Sequence, residues 1–203
     1  MSSPRIAATV ALAALLLGGP AAALAQHDSM AGMAMPGHVM IPTGAIYTEA
    51  DVLFMQGMIA HHAQAIYMSR LAAAHGANPR VLKFANKIDQ SQIAEIRIMQ
   101  DWLRRYNQFA PDTSSWHTMT MPGMLTAEQL KTLDAAKGVA FDRAFLILMI
   151  QHHNGALTMV KDLFATPRAA QEVDVSVFAN DVVTVQTAEI GVMQQMLGQL
   201  PGS

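Results

Sequence analysis

The sequence predicts an all-α protein, a four-helix bundle built from two duplicated helical-hairpin halves. Two observations carry this. Phe54, Met58, Ile59, His61, His62, Ala65 and Met68 recur as Phe145, Met149, Ile150, His152, His153, Ala156 and Met159 at one constant offset of 91 residues. A second block, Gln92-x-x-Glu95-Ile96-x-x-Met99-Gln100, recurs as Gln186-x-x-Glu189-Ile190-x-x-Met193-Gln194 at an offset of 94, which places a three-residue insertion between the two helices of the second half. The apolar positions in all four blocks follow a helical period, and two repeats are too few for a solenoid.

The elements follow in order. Thr48 is a helix N-cap, and the periodic run from Glu49 to about His75 is stopped by Gly76 and Pro79. The second helix starts at Pro79 or Arg80 and runs to about Gln108, before Pro111. Thr126-Ala127-Glu128-Gln129 has the form of a capping box and opens a short helix to about Lys137, closed by Gly138. The third long helix spans about Val139 to Phe164 or Ala165, and the fourth about Ala169 to Leu197, stopped by Gly198 and Pro201. Val173, Val175 and Val177 alternate like a strand, but one short strand without a partner is not stable. Four long amphipathic helices with short connections inside each pair give the bundle, residues 48–200. Residues 26–47 and 111–124 are rich in Met, Pro, Gly, Ser and Thr and read as extended, mobile segments.

Residues 1–25 read as a signal peptide. Arg5 supplies the positive start, Ile6 to Leu17 the short apolar run, and Ala23-Leu24-Ala25 the cleavage box. The expected product is exported, most simply to a bacterial periplasm, and is not inserted in the membrane after cleavage. The absence of cysteine excludes disulfides and thiolate metal sites. A net charge of -2 gives no electrostatic reason to bind nucleic acid.

Methionine is over-used, with 16 in 203 residues. Imidazole is the commonest biological metal ligand and thioether a soft one, so a duplicated Met/His constellation points to copper rather than zinc. At about 100° per residue, Met58, His61, Ala65 and Met68 share a helix face with His62 beside it, and Met149, His152, Ala156, Met159 and His153 repeat the arrangement. Adjacent histidines cannot chelate as an i, i+4 pair does, so each needs donors from another helix. Gln92, Glu95 and Met99 form one facing stripe, and Gln186, Glu189 and Met193 the other; these carboxylates and amides would orient the imidazoles. The bland alternative is a buried polar network that sets bundle register without metal. A second candidate set lies in the segments outside the helices: His27, Met30, Met33, Met35, His38 and Met40, then His117, Met119, Met121 and Met124. Closely spaced thioethers suit Cu(I), which tolerates irregular coordination. The bland reading there is a low-complexity linker or a partner surface.

Met121-Pro122-Gly123-Met124-Leu125-Thr126, Phe141-Asp142 and Met149-Ile150-x-His152-His153-x-Gly155-Ala156, with Met58-Ile59-Ala60-His61-His62 and Ile96-x-x-Met99-Gln100-x-Trp102-Leu103, resemble the family catalogued as domain of unknown function 305. The resemblance covers nearly all of 48–197. It implies a ferritin-like bundle and, through exported Met/His-rich members tied to copper resistance, copper binding. Met196-Leu197 stands where Trp102-Leu103 would repeat, so the halves need not be equivalent.

The function expected is copper sequestration or buffering: Met/His loops capture Cu(I) and the His-His helices offer a further, Cu(II)-capable site, with onward transfer to a periplasmic exporter or chaperone. Neutral His ligands make that site weaker below about pH 6, whereas thioether binding should persist. The rivals are a structural or interaction subunit and, third, a ferritin-like oxidase. The chain lacks Glu-x-x-His and has two repeated glutamates, too few for a carboxylate-rich oxidase site. No catalytic residue is assigned, and the sequence leaves oligomeric state open.

Overall fold

In the computed structural model, residues 39–202 are described. The signal-peptide reading and the candidate ligands His27, Met30, Met33, Met35 and His38 lie outside them. Helices α1 (Glu49–Ala74), α2 (Pro79–Arg105), α4 (Gly138–Ala165) and α5 (Val173–Leu197) form the bundle, with the short α3 (Ala127–Ala135) and a 3-10 turn (Ser115–His117) in the central connection. α1 packs on α2, α4 on α5, and α1 on α4; α2 and α5 meet through long side chains rather than close backbone approach.

Thr48 accepts from Asp51 N–H while the Asp51 carboxylate accepts from Thr48 N–H, a full capping box. The other Asp51 oxygen accepts from Ala170 N–H at 2.6 Å and so ties the start of α1 to the loop before α5. The duplication is visible in helix ends. Ala74 and Ala165 close the first helices 91 residues apart, whereas Pro79 and Val173 open the second helices 94 apart. The three extra residues therefore lie in the 166–172 loop.

Three boundaries differ from expectation. α2 ends at Arg105 rather than near Gln108, because Asn107 takes a positive φ of 54°. α5 starts at Val173 rather than Ala169, because Ala170 sits at φ 54° and the Glu172 side chain caps by accepting from Val175 N–H. Gly138 opens α4 instead of ending α3 in a loop of its own.

The segments expected to be extended and exposed are partly packed. Tyr47 is buried against Trp102 and Tyr106, and Gln108 donates to Met40 C=O and the Tyr47 hydroxyl. Met121 is buried in the core, and Met119 and Met124 are half-buried. The reason is apolar area: a thioether side chain placed beside an open core seam gains more by burial than by hydration.

Candidate metal centre

All four paired histidines are fully buried at the middle of the bundle. His61 of α1 and His152 of α4 stack across the α1–α4 contact with ring centroids 3.8 Å apart. His62 Nε2 donates to Glu95 Oε2 of α2 at 2.6 Å, and His153 Nε2 donates to Glu189 Oε2 of α5 at 2.8 Å. Each hairpin thus supplies one His–Glu pair, and the two hairpins share the His61–His152 stack. The expected role of the repeated glutamates, to orient imidazoles, is realised as direct hydrogen bonds.

His61 is held by a different device. Its Nε2 donates to Pro122 C=O at 3.1 Å. The Met121-Pro122-Gly123-Met124 loop reaches that position because Gly155 has no side chain: a Cβ there would lie 1.9 Å from Pro122 O. Gly123, at φ +76°, packs its own backbone against the same stretch of α4. Gln64 fixes the loop from α1, donating to Leu125 C=O and accepting from Leu125 N–H. The repeat position of Gly155 is Gln64, which bars an equivalent close approach to His152. His152 accordingly has no partner on either ring nitrogen among the described residues.

These contacts settle tautomers. A carbonyl only accepts, and an ionised carboxylate only accepts, so the Nε2 atoms of His61, His62 and His153 carry hydrogen. All three Nδ1 atoms are buried without a partner among the described residues, and burial leaves that of His61 a free lone pair. Gln186 has both amide atoms unpartnered, and Gln92 its Oε1, one helical turn before Glu189 and Glu95. Buried polar atoms left unpaired in this number are costly. A buried, unpartnered ring nitrogen whose fellow nitrogen is tied to a carboxylate is an arrangement that metal-binding imidazoles use.

Burial holds His61 and His152 well below the usual histidine range, and the neighbouring imidazoles push the same way. Burial raises the Glu189 carboxyl, but hydrogen bonds and charge from His153 and Lys87 outweigh it and leave Glu189 below its ordinary value. Burial therefore favours the neutral form of His61 and His152, while Glu189 carries its charge as a carboxylate.

The thioethers Met58, Met68, Met149 and Met159 are all buried, and Met58 and Met149 lie one turn ahead of His61 and His152. Among the described residues no three His, Asp or Glu side chains converge on one point as a metal site. Holding an ion here thus requires methionine sulfur in the donor set or rotation of an imidazole out of the stack. The loop candidates do not gather into one cluster. His117 is exposed and stacks on Trp116, Met121 packs by Gly57 in the core, and Met124 sulfur accepts from Met121 N–H.

Pro122, Gln64 and Lys87, which contacts Glu189, are missed by residue-type reasoning. Gly155 was legible as a motif residue; its backbone role was not. The sequence pattern described as Domain of unknown function (DUF305) matches twice, over residues 20–103 and 51–197. The chain belongs to the DUF305 family. It resembles a DUF305 fragment from Deinococcus radiodurans, at 28% identity and TM-score 0.67 over 76% of this chain and 99% of that one. A DUF305 protein from Streptomyces coelicolor, described as secreted, matches at 28% identity and TM-score 0.65 over 74% and 93% of the two chains. CopM in its Cu(I)-bound form matches at 28% identity and TM-score 0.58 over 73% and 96%, and CopM is also solved in Cu(II)-bound, Ag-bound and apo forms. No functionally curated protein gives a significant match.

Proposed function

We propose that this DUF305 protein is an exported, periplasmic copper-binding protein that sequesters the ion, and that its tight site is the buried His61/His62/His152/His153 centre. The observation that carries this reading is the set of buried Nδ1 atoms left without partners among the described residues while Nε2 is tied to Glu95, Glu189 or Pro122 C=O. Met58 and Met149 supply soft donors next to them, which suits Cu(I) and admits Ag(I). The likeness to CopM, solved with copper and silver, supports the choice of metal. Because burial keeps His61 and His152 neutral well below their ordinary range, copper should stay bound at lower pH than unperturbed imidazoles would allow. The half-buried Met119 and Met124, exposed His117 and residues 26–38 would make weaker capture sites. An exporter or chaperone would receive the ion.

A metal-free structural module is the second reading, favoured by the lack of three converging His or carboxylate donors among the described residues. An oxidase is the third and weakest, since both repeated glutamates are engaged by histidine.

Anaerobic Cu(I) titration against a chromogenic chelator separates these readings. It would be run on the protein, on a variant with the four histidines changed to Leu, and on one with Met30, Met33, Met35, Met119, Met121 and Met124 changed to Leu. Tight uptake lost in the histidine variant and only reduced in stoichiometry in the methionine variant is expected. Tight uptake that survives loss of the four histidines moves the site to the loops. No competitive uptake by the unmodified protein overturns the copper reading, and oxygen consumption with a reduced substrate would point to the oxidase.

A further inference from the structure

The two His–Glu pairs are chemically equivalent in sequence but not in their surroundings. Glu189 is 3% exposed and closed from outside by Lys87 of α2, whose ammonium donates to Glu189 Oε1 at 3.0 Å. Lys87 also lies 5.9 Å from the Phe84 ring centroid, which steadies its stem over the pair. Glu95, in the other half, is 21% exposed and has no Lys or Arg partner among the described residues.

The repeat explains the difference. The offset of 94 that carries Glu95 onto Glu189 also carries Lys87 onto Asp181. The operation that exchanges the halves therefore turns the Lys87–Glu189 contact into Asp181 beside Glu95. A second pair checks this operation. It turns Arg105–Asp174 into Gln199–Arg80, and both of those pairs are hydrogen-bonded. Asp181 is exposed and lines a groove of about 300 Å³ on the α2–α5 seam together with Ile98, Trp102 and Arg105 of α2, Asp174 of α5, which is paired with Arg105, and the buried Met55; Glu95 lies one turn before Ile98, beyond that lining. Ile98 and Trp102 lie one and two turns from Glu95 on the same face of α2.

We propose that the bundle has one cation entrance, the Asp181/Glu95 window on the α2–α5 seam leading to His62, and that Lys87 seals the equivalent window over His153. The inference rests on the copper reading for its cargo but concerns access. The two windows differ in sign of charge as well as in cover. A cation approaching Lys87 meets a positive charge over a closed pair, whereas one approaching Asp181 meets that carboxylate beside the self-neutralised Arg105–Asp174 pair and, further along α2, Glu95, which holds an imidazole whose Nδ1 is buried and without a partner among the described residues. Charged mouths over low-dielectric walls change on-rates by about tenfold or more.

Two measurements on the full chain test the entrance. Histidine C2-hydrogen exchange, read residue by residue by mass spectrometry on the metal-free protein, should show His62 exchanging several-fold faster than His153. Asp181→Lys should slow His62 towards the His153 rate, and Lys87→Asp should speed His153. Stopped-flow uptake of Cu(I) or Ag(I) should slow about tenfold in Asp181→Lys, rise in Lys87→Asp, and stay unchanged in Glu128→Lys, which makes the same net-charge change on the exposed α3. Equal exchange of His62 and His153, or a Glu128→Lys effect as large as that of Asp181→Lys, overturns the single entrance. A protein that takes up no metal at all but keeps the exchange asymmetry and its response to both charge reversals fails the copper reading and leaves the entrance standing.

Discussion

His152 shows how one residue can be poor for folding and good for function. It is fully buried, packed on the His61 ring, and without a hydrogen bond of good geometry at either nitrogen among the described residues. Replacing an unsatisfied buried polar group by an apolar one of similar shape is neutral or stabilising. His152→Leu is therefore expected to raise the stability of the metal-free protein by about 1 kcal/mol in urea denaturation while weakening copper binding; a loss of several kcal/mol would mean that the imidazole has a partner. The same burial predicts a pH dependence. His61 and His152 have folded pKa values below their unfolded value of about 6.5, so below that pH the unfolded chain binds more protons than the native one. Stability is complete above about pH 6.5 and falls as the pH drops towards the folded values, by up to about 1.4 kcal/mol per pH unit for each histidine. Glu189, with a lowered pKa, adds a further loss only below its unfolded value of 4.5. Urea midpoints measured from pH 7.5 to 5 would be flat if these imidazoles titrated normally.

Helix ends and close contacts decide the geometry at the next scale. Asp51 accepts from Thr48 N–H and its hydroxyl and from Ala170 N–H, so Asp51→Ala removes the reciprocal half of the α1 capping box and the anchor of the 166–172 loop, leaving the Thr48 cap on residue 51 N–H in place. A loss of about 2–3 kcal/mol is expected, read by chemical denaturation, because a buried N–H is left unpaired. Gly155 matters for another reason. Ala at this position would put its Cβ into Pro122 backbone rather than a yielding side chain, so the loop must move off α4. Gly155→Ala is expected to cost about 3 kcal/mol and to release His61 Nε2 from Pro122, visible as a changed His61 ring-nitrogen resonance. An unchanged resonance and stability would show that the loop is not held by this contact.

At the scale of the molecule, two hairpins meet face to face and place four imidazoles where neither hairpin alone could close a site. Ligand bound only by the folded bundle must stabilise it by mass action. Free Cu(I) at about 100 times its dissociation constant should add about 2.7 kcal/mol to unfolding. Calorimetry with and without Cu(I) checks this, and the shift should vanish in the four-histidine variant but persist when only the loop methionines are changed.

The sequence by itself determined the all-helical class, the duplication with its three-residue insertion, the caps of α1 and α3, and the histidines and glutamates of the centre. These are legible because they depend on local spacing: apolar period, capping boxes and repeated residue types act within a few turns of chain. Only the tertiary structure decided the partners. Met121 reads as a loop ligand because composition does not show which seam a loop will fill; the missing side chain of Gly155 on a distant helix lets that loop come inward. The ends of α2 and α5 moved because positive φ at Asn107 and Ala170 answers to loop packing rather than propensity. Lys87 and Asp181 look like ordinary surface charges in the sequence. Their contrast acquires meaning when the fold sets Lys87 over Glu189 and the repeat makes Asp181 its counterpart, because electrostatic function depends on distance in space and not along the chain.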